Sequence, residues 1–237
     1  MYKSGILSLR ILLSGLYLSI AFHLYGQQNT KISDEIFGTD PLLYNGKLYT
    51  FFLPQNTGGS QYFHSPQFET GSVTIRGVTF SNLLLNYDVF NQKLVLKYID
   101  KESVYRLLMI SEAWLEKFSF RDLNFELIEV QDTLKRISQV IGTGSIRIIY
   151  LWEKRLSLDN FHGAKNHAFS SPIKEMNLSI DRQIKRYWNN KSFCILFDAQ
   201  RRDKVKRYLR ENNVNVKKAN DSVMTKVINY CNSLYEG

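Results

Sequence analysis

Closely spaced turn signals in the middle of the chain most constrain its fold. Arg76-Gly77 separates two short alternating segments, Asn91-Gln92 separates the next two, and Gly142-Thr143-Gly144 divides residues 134–141 from 145–156. Short apolar segments joined by tight turns predict an antiparallel meander. In the segment after Gly144, apolar or aromatic side chains recur with a period of two, which is typical of a strand with one buried face. These side chains are Ile146, Ile148, Tyr150 and Trp152.

Two flanking segments give further predictions. Asn45-Gly46 lies between apolar runs within residues 42–53, and both residue types tolerate the positive φ of a tight turn, so this segment predicts a hairpin. Residues 157–175 are polar and predict a loop. Asp88 lies next to Tyr87 in an apolar segment, and we interpret it as a residue of the turn that ends a strand.

The pattern changes to a helical one from about residue 190. Asp198 can cap a helix that runs through residue 211, and Asn220-Asp221-Ser222 can begin another, because short polar side chains accept hydrogen bonds from the free N–H groups of a first turn. Strands followed by helices predict an α+β fold, here an antiparallel β-meander (curved sheet) followed by two or three C-terminal helices. We expect one domain over residues 27–237, mainly β in 27–175 and mainly helical in 176–237.

Composition excludes several classes of protein. The 237-residue chain is 44% hydrophobic and 14% aromatic, which is enough to form a core and argues against a disordered or fibrous chain. It contains 2 cysteines, too few for a disulfide-dense scaffold or a zinc site of four thiolates.

The first 26 residues predict export. Lys3 and Arg10 are their only charges, and an apolar run over residues 11–25 ends at Gly26. This order of features is typical of a secretory signal peptide. The run is short for a membrane-spanning helix, which needs about 20 apolar residues, although an uncleaved anchor is the alternative. We therefore expect residues 1–26 to be removed, and the mature protein to be periplasmic, associated with the outer membrane or extracellular.

Positive charge is concentrated in the C-terminal half of the chain. The net charge is +9, yet residues 27–130 hold 9 basic and 12 acidic side chains, whereas residues 131–237 hold 20 basic and 10 acidic ones. Such a cluster is either a solvated helix face or a binding surface for polyanions. The residues of this candidate surface are Arg201, Arg202, Lys204, Lys206, Arg207, Arg210, Lys217 and Lys218. Because we expect export, the favoured partner is an anionic lipid or glycan of the envelope rather than nucleic acid.

No catalytic, cofactor-binding or metal residue is predicted. The chain lacks the G-x-S-x-G and S-x-x-K nucleophile motifs and the glycine-rich nucleotide-binding patterns. Asp159, His162 and His167 could hold a metal by residue type, but they lack the helical register of a catalytic zinc site, so an ordinary loop is favoured. Cys194 and Cys231 lie on apolar faces of predicted helices. They are either inert buried thiols or, in an oxidising compartment, a disulfide pair.

Several segments resemble a group of uncharacterised exported proteins of the Bacteroidota type. The resemblance is carried by residues 71–78 (GSVTIRGV), 86–89 (NYDV), 93–96 (KLVL), 206–213 (KRYLRENN) and 227–234 (VINYCNSL). It implies export and a meander followed by helices. It implies no activity, so no site residue is carried over from that group.

These observations leave three main hypotheses for function, and an enzyme of unknown class stays an alternative because many hydrolases carry no motif that a single sequence shows. The first is a non-enzymatic binding or structural module of the cell envelope, whose partner is an unknown envelope protein or an anionic lipid or glycan, with contact to a membrane surface. The second is a carrier of an apolar ligand such as a lipid, with the curved sheet as a cup and the C-terminal helices as a lid. The third is a polyanion-surface binder that uses residues 201–218.

Overall fold

The structure of the protein, a computed structural model, describes residues 30–32, 40–131, 134–161 and 164–235. It is an α+β fold in which a large, mostly antiparallel sheet precedes three helices. The strands are β1 (Thr30–Ile32), β2 (Lys47–Leu48), β3 (Glu69–Ile75), β4 (Val78–Asp88), β5 (Lys93–Ile99), β6 (Tyr105–Met109), β7 (Leu115–Phe120), β8 (Leu123–Gln131), β9 (Leu134–Ile141), β10 (Ile146–Glu153), β11 (Leu156–Phe161), β12 (Ala164–Phe169), β13 (Ile173–Ile180) and β14 (Gln183–Arg186). The helices are α1 (Asn190–Ile195), α2 (Ala199–Glu211) and α3 (Asp221–Ser233).

The large sheet departs from a simple meander in four places, one of which is the short edge strand β2, which pairs with β6 rather than with β3. Its order is β14-β13-β10-β9-β8-β7-β3-β4-β5-β6-β2, so the chain crosses after β6 and adds β7 next to β3. The β11–β12 hairpin lies outside this sheet, between β10 and β13 in the chain. The short β1 pairs with β4 in the parallel sense. Consecutive strands are otherwise paired through short turns, which are the local signals that the sequence carries.

The tight turns adopt left-handed backbone conformations. The β3–β4 turn has φ of 49° at Arg76 and 75° at Gly77, and the β13–β14 turn has φ of 48° at Asp181 and 68° at Arg182. Positive φ at both central residues matches the twist of the flanking strands in a two-residue hairpin. Turns join consecutive strands at all three predicted places, Arg76-Gly77, Asn91-Gln92 and Gly142–Gly144, so these predictions are confirmed.

Two clusters of buried side chains form the core. One lies within the β3–β8 part of the sheet and is rich in aromatic rings, and within it Phe118 stacks on Phe125 with ring centroids 4.8 Å apart. The other fills the space between β10, β13 and the three helices. In it Ile148 and Tyr150 of β10 and Val227 and Ile228 of α3 are all fully buried. Burial of this apolar layer attaches the helices to one end of the sheet.

Two predictions about local structure are wrong. No hairpin forms at Asn45-Gly46, because β2 instead pairs with β6 at the sheet edge, where Lys47 lies opposite Met109. Residues 157–175 are not a loop, since they contain the β11–β12 hairpin and the start of β13. Strand structure also extends through Arg186, so the helical part begins at Asn190 rather than near residue 176.

Candidate functional site

A groove with an apolar floor and a basic rim lies on the helical layer. Arg202, Lys206 and Arg210 of α2 line it at intervals of four residues, and Lys191 of α1 lines it from the other side. Residues four apart lie on one face of a helix, which brings the three cations of α2 into one row. Four further lining side chains are apolar or weakly polar: Cys194, Ile195, Leu209 and Val214. The cavity has a volume of about 670 Å³, within the range of small-molecule sites. We call it the basic groove.

Side-chain hydrogen bonds hold the walls of the basic groove together. The Asn190 side-chain amide donates to the carbonyl oxygen of Val214 at 2.6 Å, and its oxygen accepts from the backbone N–H of Val216 at 2.9 Å. Asn189 caps α1 by accepting from the backbone N–H of Ser192 at 2.8 Å. These bonds fix α1 to the segment that follows α2, so the groove has a defined shape before any ligand arrives.

The guanidinium of Arg202 is held in place but not fully paired. Its Nη2 donates to the carbonyl oxygen of Phe197 at 3.0 Å and to that of Ile195 at 3.4 Å. Its Nε is buried and has no hydrogen-bond partner among the described residues. An unpaired buried donor costs about 1–3 kcal/mol, and more for a charged group.

The rim cations of the basic groove make no ion pair with any residue whose placement the structure describes. Within the part of the chain that the structure describes, Lys191, Lys206 and Arg210 form no salt bridge, and all three side chains are exposed. Asp203 is the one acidic residue in the lining against four basic ones. The groove therefore presents a net positive potential to solvent, which attracts anions.

The structure divides the predicted polyanion-binding residues into separate groups. Arg202, Lys206 and Arg210 line the groove, whereas Lys204 and Arg207 are exposed on α2 outside its lining, and Lys217 and Lys218 are exposed in the turns that follow. Arg201 has a structural role: it bonds Asp198 at 2.6 Å and the carbonyl oxygen of Leu234 at 3.0 Å. Its guanidinium also stacks over the Tyr235 ring.

Both cysteines are buried free thiols in this structure. Burial raises the pKa of the Cys194 thiol, an effect that the nearby cations of Lys206 and Arg202 partly offset. Burial, together with the charge of Cys194, raises the pKa of Cys231 to about 12. A thiol with a raised pKa is rarely the reactive thiolate at neutral pH. Pairing of the two cysteines after export stays a prediction, which counting free thiols in exported protein tests.

Two of the three candidate metal residues, Asp159 and His167, lie in the β11–β12 hairpin. Its register places His167 opposite Leu158 and Asp159 opposite Asn166, and His162 is outside the described residues. Among the residues with a described placement, no cluster of three or more His, Cys, Asp or Glu side chains could hold a metal.

Asp88 is the centre of a buried polar network away from the basic groove. Its carboxylate accepts from the Asn91 backbone N–H at 2.9 Å, from the Asn91 side chain at 2.7 Å and from the Tyr49 hydroxyl at 2.5 Å. Burial and the hydrogen bond to Asp88 raise the pKa of Tyr49. Three donors satisfy a fully buried carboxylate, which stabilises the turn after β4 and ties residue 49 to it. This confirms the interpretation of Asp88 as a turn residue.

Sequence reasoning missed the residues that give the groove its shape and floor. Lys191, Asn190 and Val214 come from two separate segments, so no local motif joins them. The interval of four between Arg202, Lys206 and Arg210 is the one signal in the sequence that could have selected these three cations from the eight predicted.

Comparisons with known proteins give no indication of function, so the proposals below are based on the geometry of the basic groove. No protein-family model, no curated protein and no solved structure matches the chain. The resemblance to exported Bacteroidota proteins therefore stays a prediction. Among the described helices, none combines the length and the apolar character needed to span a membrane.

Proposed function

We propose that the protein is an exported, non-enzymatic binding module of the cell envelope, and that it binds an anionic ligand in the basic groove. The observation that carries this proposal is the combination of an apolar floor with four cations, none of which forms an ion pair with another described residue. A solvated helix face needs no concave apolar floor.

The export part of the proposal rests on the sequence of residues 1–26, which lie outside the described residues. Expression of the full chain in a bacterial host with a secretion pathway tests it. We expect the protein to be recovered outside the cytoplasm with a new N-terminus at Gln27, as measured by intact mass and N-terminal sequencing. Recovery of material in the cytosol that retains Met1 would contradict it.

The non-enzymatic part is supported by the state of the two thiols. Cys194 and Cys231 are the strongest nucleophiles by residue type, and burial raises the pKa of each. The raised values disfavour the thiolate that nucleophilic catalysis requires. Neither thiol is therefore suited to serve as a catalytic nucleophile at neutral pH.

The binding part is tested with a soluble polyanion and two matched pairs of substitutions on α2. The groove pair, Lys206→Gln with Arg210→Gln, and the control pair, Lys204→Gln with Arg207→Gln, lower the net charge equally on the same helix. Fluorescence titration with dextran sulfate should show tight binding at low salt that weakens as salt rises. We expect the groove pair to weaken binding about fivefold or more, and the control pair to weaken it clearly less.

Equal losses in the two pairs would mean that general charge, not the groove, attracts the probe. That result would favour the third hypothesis, a polyanion binder that uses the whole of residues 201–218. The exposure of Lys204, Arg207, Lys217 and Lys218 is the observation that supports this second candidate.

The carrier hypothesis requires a different location from the one that the sequence suggested. The helices pack directly on β10 and β13, and Ile146, Ile148 and Leu178 are at most 1% exposed there. The basic groove is lined only by residues 190–214 and opens on the helical layer. An apolar ligand held by the helices would therefore lie in this groove rather than between helices and sheet.

A further inference from the structure

We infer that the ligand of the basic groove is a monomeric amphiphile with one alkyl chain and one anionic head group, either a carboxylate, a phosphate or a sulfate. The inference rests on the proposed function, since it names the chemical class that the same groove takes. It follows from three features of the groove. A purely charged ligand or a purely apolar ligand would contact only some of them.

The first feature is the donor set at the head-group end. Two backbone carbonyls accept hydrogen bonds from Nη2 of Arg202 and so fix the charge of its guanidinium at the lining of the groove. Arg202 and Lys206 are four residues apart on α2 and both line the groove, so the two cations lie at the same part of it. An oxyanion there accepts charge-assisted hydrogen bonds, which are the strongest kind available to a ligand.

The second feature is the apolar floor. Ile195 is 53% exposed at the end of α1, and Val214 and the buried Leu209 line the groove beside it. An alkyl chain that covers this floor removes apolar surface from water. A polyanion without a chain would leave the floor exposed.

The third feature is the size and form of the cavity. A volume of about 670 Å³ bounded by α1, α2 and residues 213–214 admits one ligand molecule and excludes a flat bilayer surface. The ligand is therefore a monomer extracted from, or never part of, a membrane. Charge complementarity fixes its sign, since four of the lining residues are basic and one is acidic.

The test compares probes below their micelle concentrations by isothermal titration calorimetry, with protein purified from cells that express the full chain. Octanoate, decanoate and dodecanoate share the head group and differ in chain length. Dodecyl phosphate and dodecyl sulfate vary the head group, and dodecyl maltoside removes the charge. We expect binding of the anionic probes, with Kd falling about fourfold for each added methylene until the chain is longer than the floor. Dodecyl maltoside should bind at least tenfold more weakly than dodecyl sulfate.

Substitutions separate the two ends of the groove. Lys206→Gln with Arg210→Gln should weaken dodecanoate binding about fivefold or more, and the control pair Lys204→Gln with Arg207→Gln should leave it within twofold. Ile195→Asn should flatten the dependence on chain length. Because Ile195 is half exposed, this variant should keep the fold, which circular dichroism and thermal melting check.

The outcomes distinguish failure of this inference from failure of the proposed function. One outcome is that dextran sulfate binds and the groove pair weakens its binding, while dodecanoate, dodecyl phosphate and dodecyl sulfate do not bind. In that case the inference of an amphiphilic ligand is wrong and the proposal of an anion-binding groove stands. Preference for anionic vesicles or for an acidic amphipathic peptide over every monomeric probe likewise overturns the amphiphile. If no anionic probe binds in a way that depends on Lys206 and Arg210, both proposals are wrong.

Discussion

One buried side-chain amide, that of Asn232, adds hydrogen bonds between α3 and the sheet to the apolar contacts of the core. Its oxygen accepts from the backbone N–H of Ile146 at 2.9 Å, and its NH₂ group donates to the Ile146 carbonyl oxygen at 2.9 Å and to that of Ile228 at 3.1 Å. The amide thus pairs both backbone groups of the first residue of β10, as a neighbouring strand would. Replacement by alanine removes these bonds and leaves the backbone groups of Ile146 without their partner.

The expected cost follows from the desolvation of those groups. A buried N–H or C=O left unpaired costs about 1–3 kcal/mol, and two such groups in Asn232→Ala give a loss of about 3 kcal/mol in the free energy of unfolding. For a chain of this size, 1 kcal/mol shifts the melting temperature by about 2–4 °C. We therefore expect Tm to fall by roughly 6–12 °C.

Guanidinium unfolding followed by circular dichroism measures this loss. Asn229→Ala is the matched control, because Asn229 lies on the exposed side of the same helix and its substitution should change stability by less than about 0.5 kcal/mol. A loss below about 1 kcal/mol for Asn232→Ala, or equal losses for both variants, would refute the reasoning that these bonds attach α3 to the sheet.

Two further predictions concern backbone conformation and pH. Gly142→Ala should lower the free energy of unfolding by about 2–4 kcal/mol in chemical denaturation, because φ is +93° and the new Cβ would lie 2.6 Å from Ile228 Cγ2. The control is Gly77→Ala, where φ is +75° and no atom lies within 4 Å of the new Cβ, and it should cost only about 1 kcal/mol. A loss for Gly142→Ala no larger than that of the control would rule out the steric clash. Burial raises the pKa of Tyr87 and Tyr187, so above about pH 10 the unfolded chain loses these protons while the folded chain keeps them, and stability should fall by about 1.4 kcal/mol per pH unit for each tyrosine. Denaturation curves between pH 9 and pH 11 check the slope, which Tyr87→Phe should reduce, and an unchanged slope in that variant would contradict the assignment.

Local chemistry explains which elements could be predicted from the sequence. Asp198 and Asn220 cap α2 and α3 as expected, with their side chains accepting from Arg201 and Val223 backbone N–H groups. A cap depends on residues at most three positions apart, and so do the turns at Arg76-Gly77 and Asn91-Gln92. A prediction from neighbouring residues alone was wrong at Asn45-Gly46, where β2 pairs with β6 at the sheet edge and no local hairpin forms.

The candidate site shows the opposite dependence. The cations of α2 are evident as a charge cluster, but the sequence does not say that Arg201 is used by Asp198 and Leu234 while Arg202 keeps an unpaired N–H. Nor does it bring Lys191 to the same groove. These differences depend on how α1, α2 and the end of α3 pack together, since Arg201 bonds Leu234 and Lys191 lies on a different helix from Arg202, and a single sequence carries no local signal for such packing.

The sequence by itself determined the fold class, the cap of each long helix, most of the turns and the concentration of positive charge, because each of these depends on neighbouring residues or on composition. Tertiary structure alone decided the strand order, with β7 placed next to β3, and the pairing of Asn232 with Ile146. It also decided the formation of a groove from α1, α2 and the segment that follows them. The physical reason is that these features result from burial and hydrogen bonding between distant segments, whose partners are fixed only when the whole chain packs.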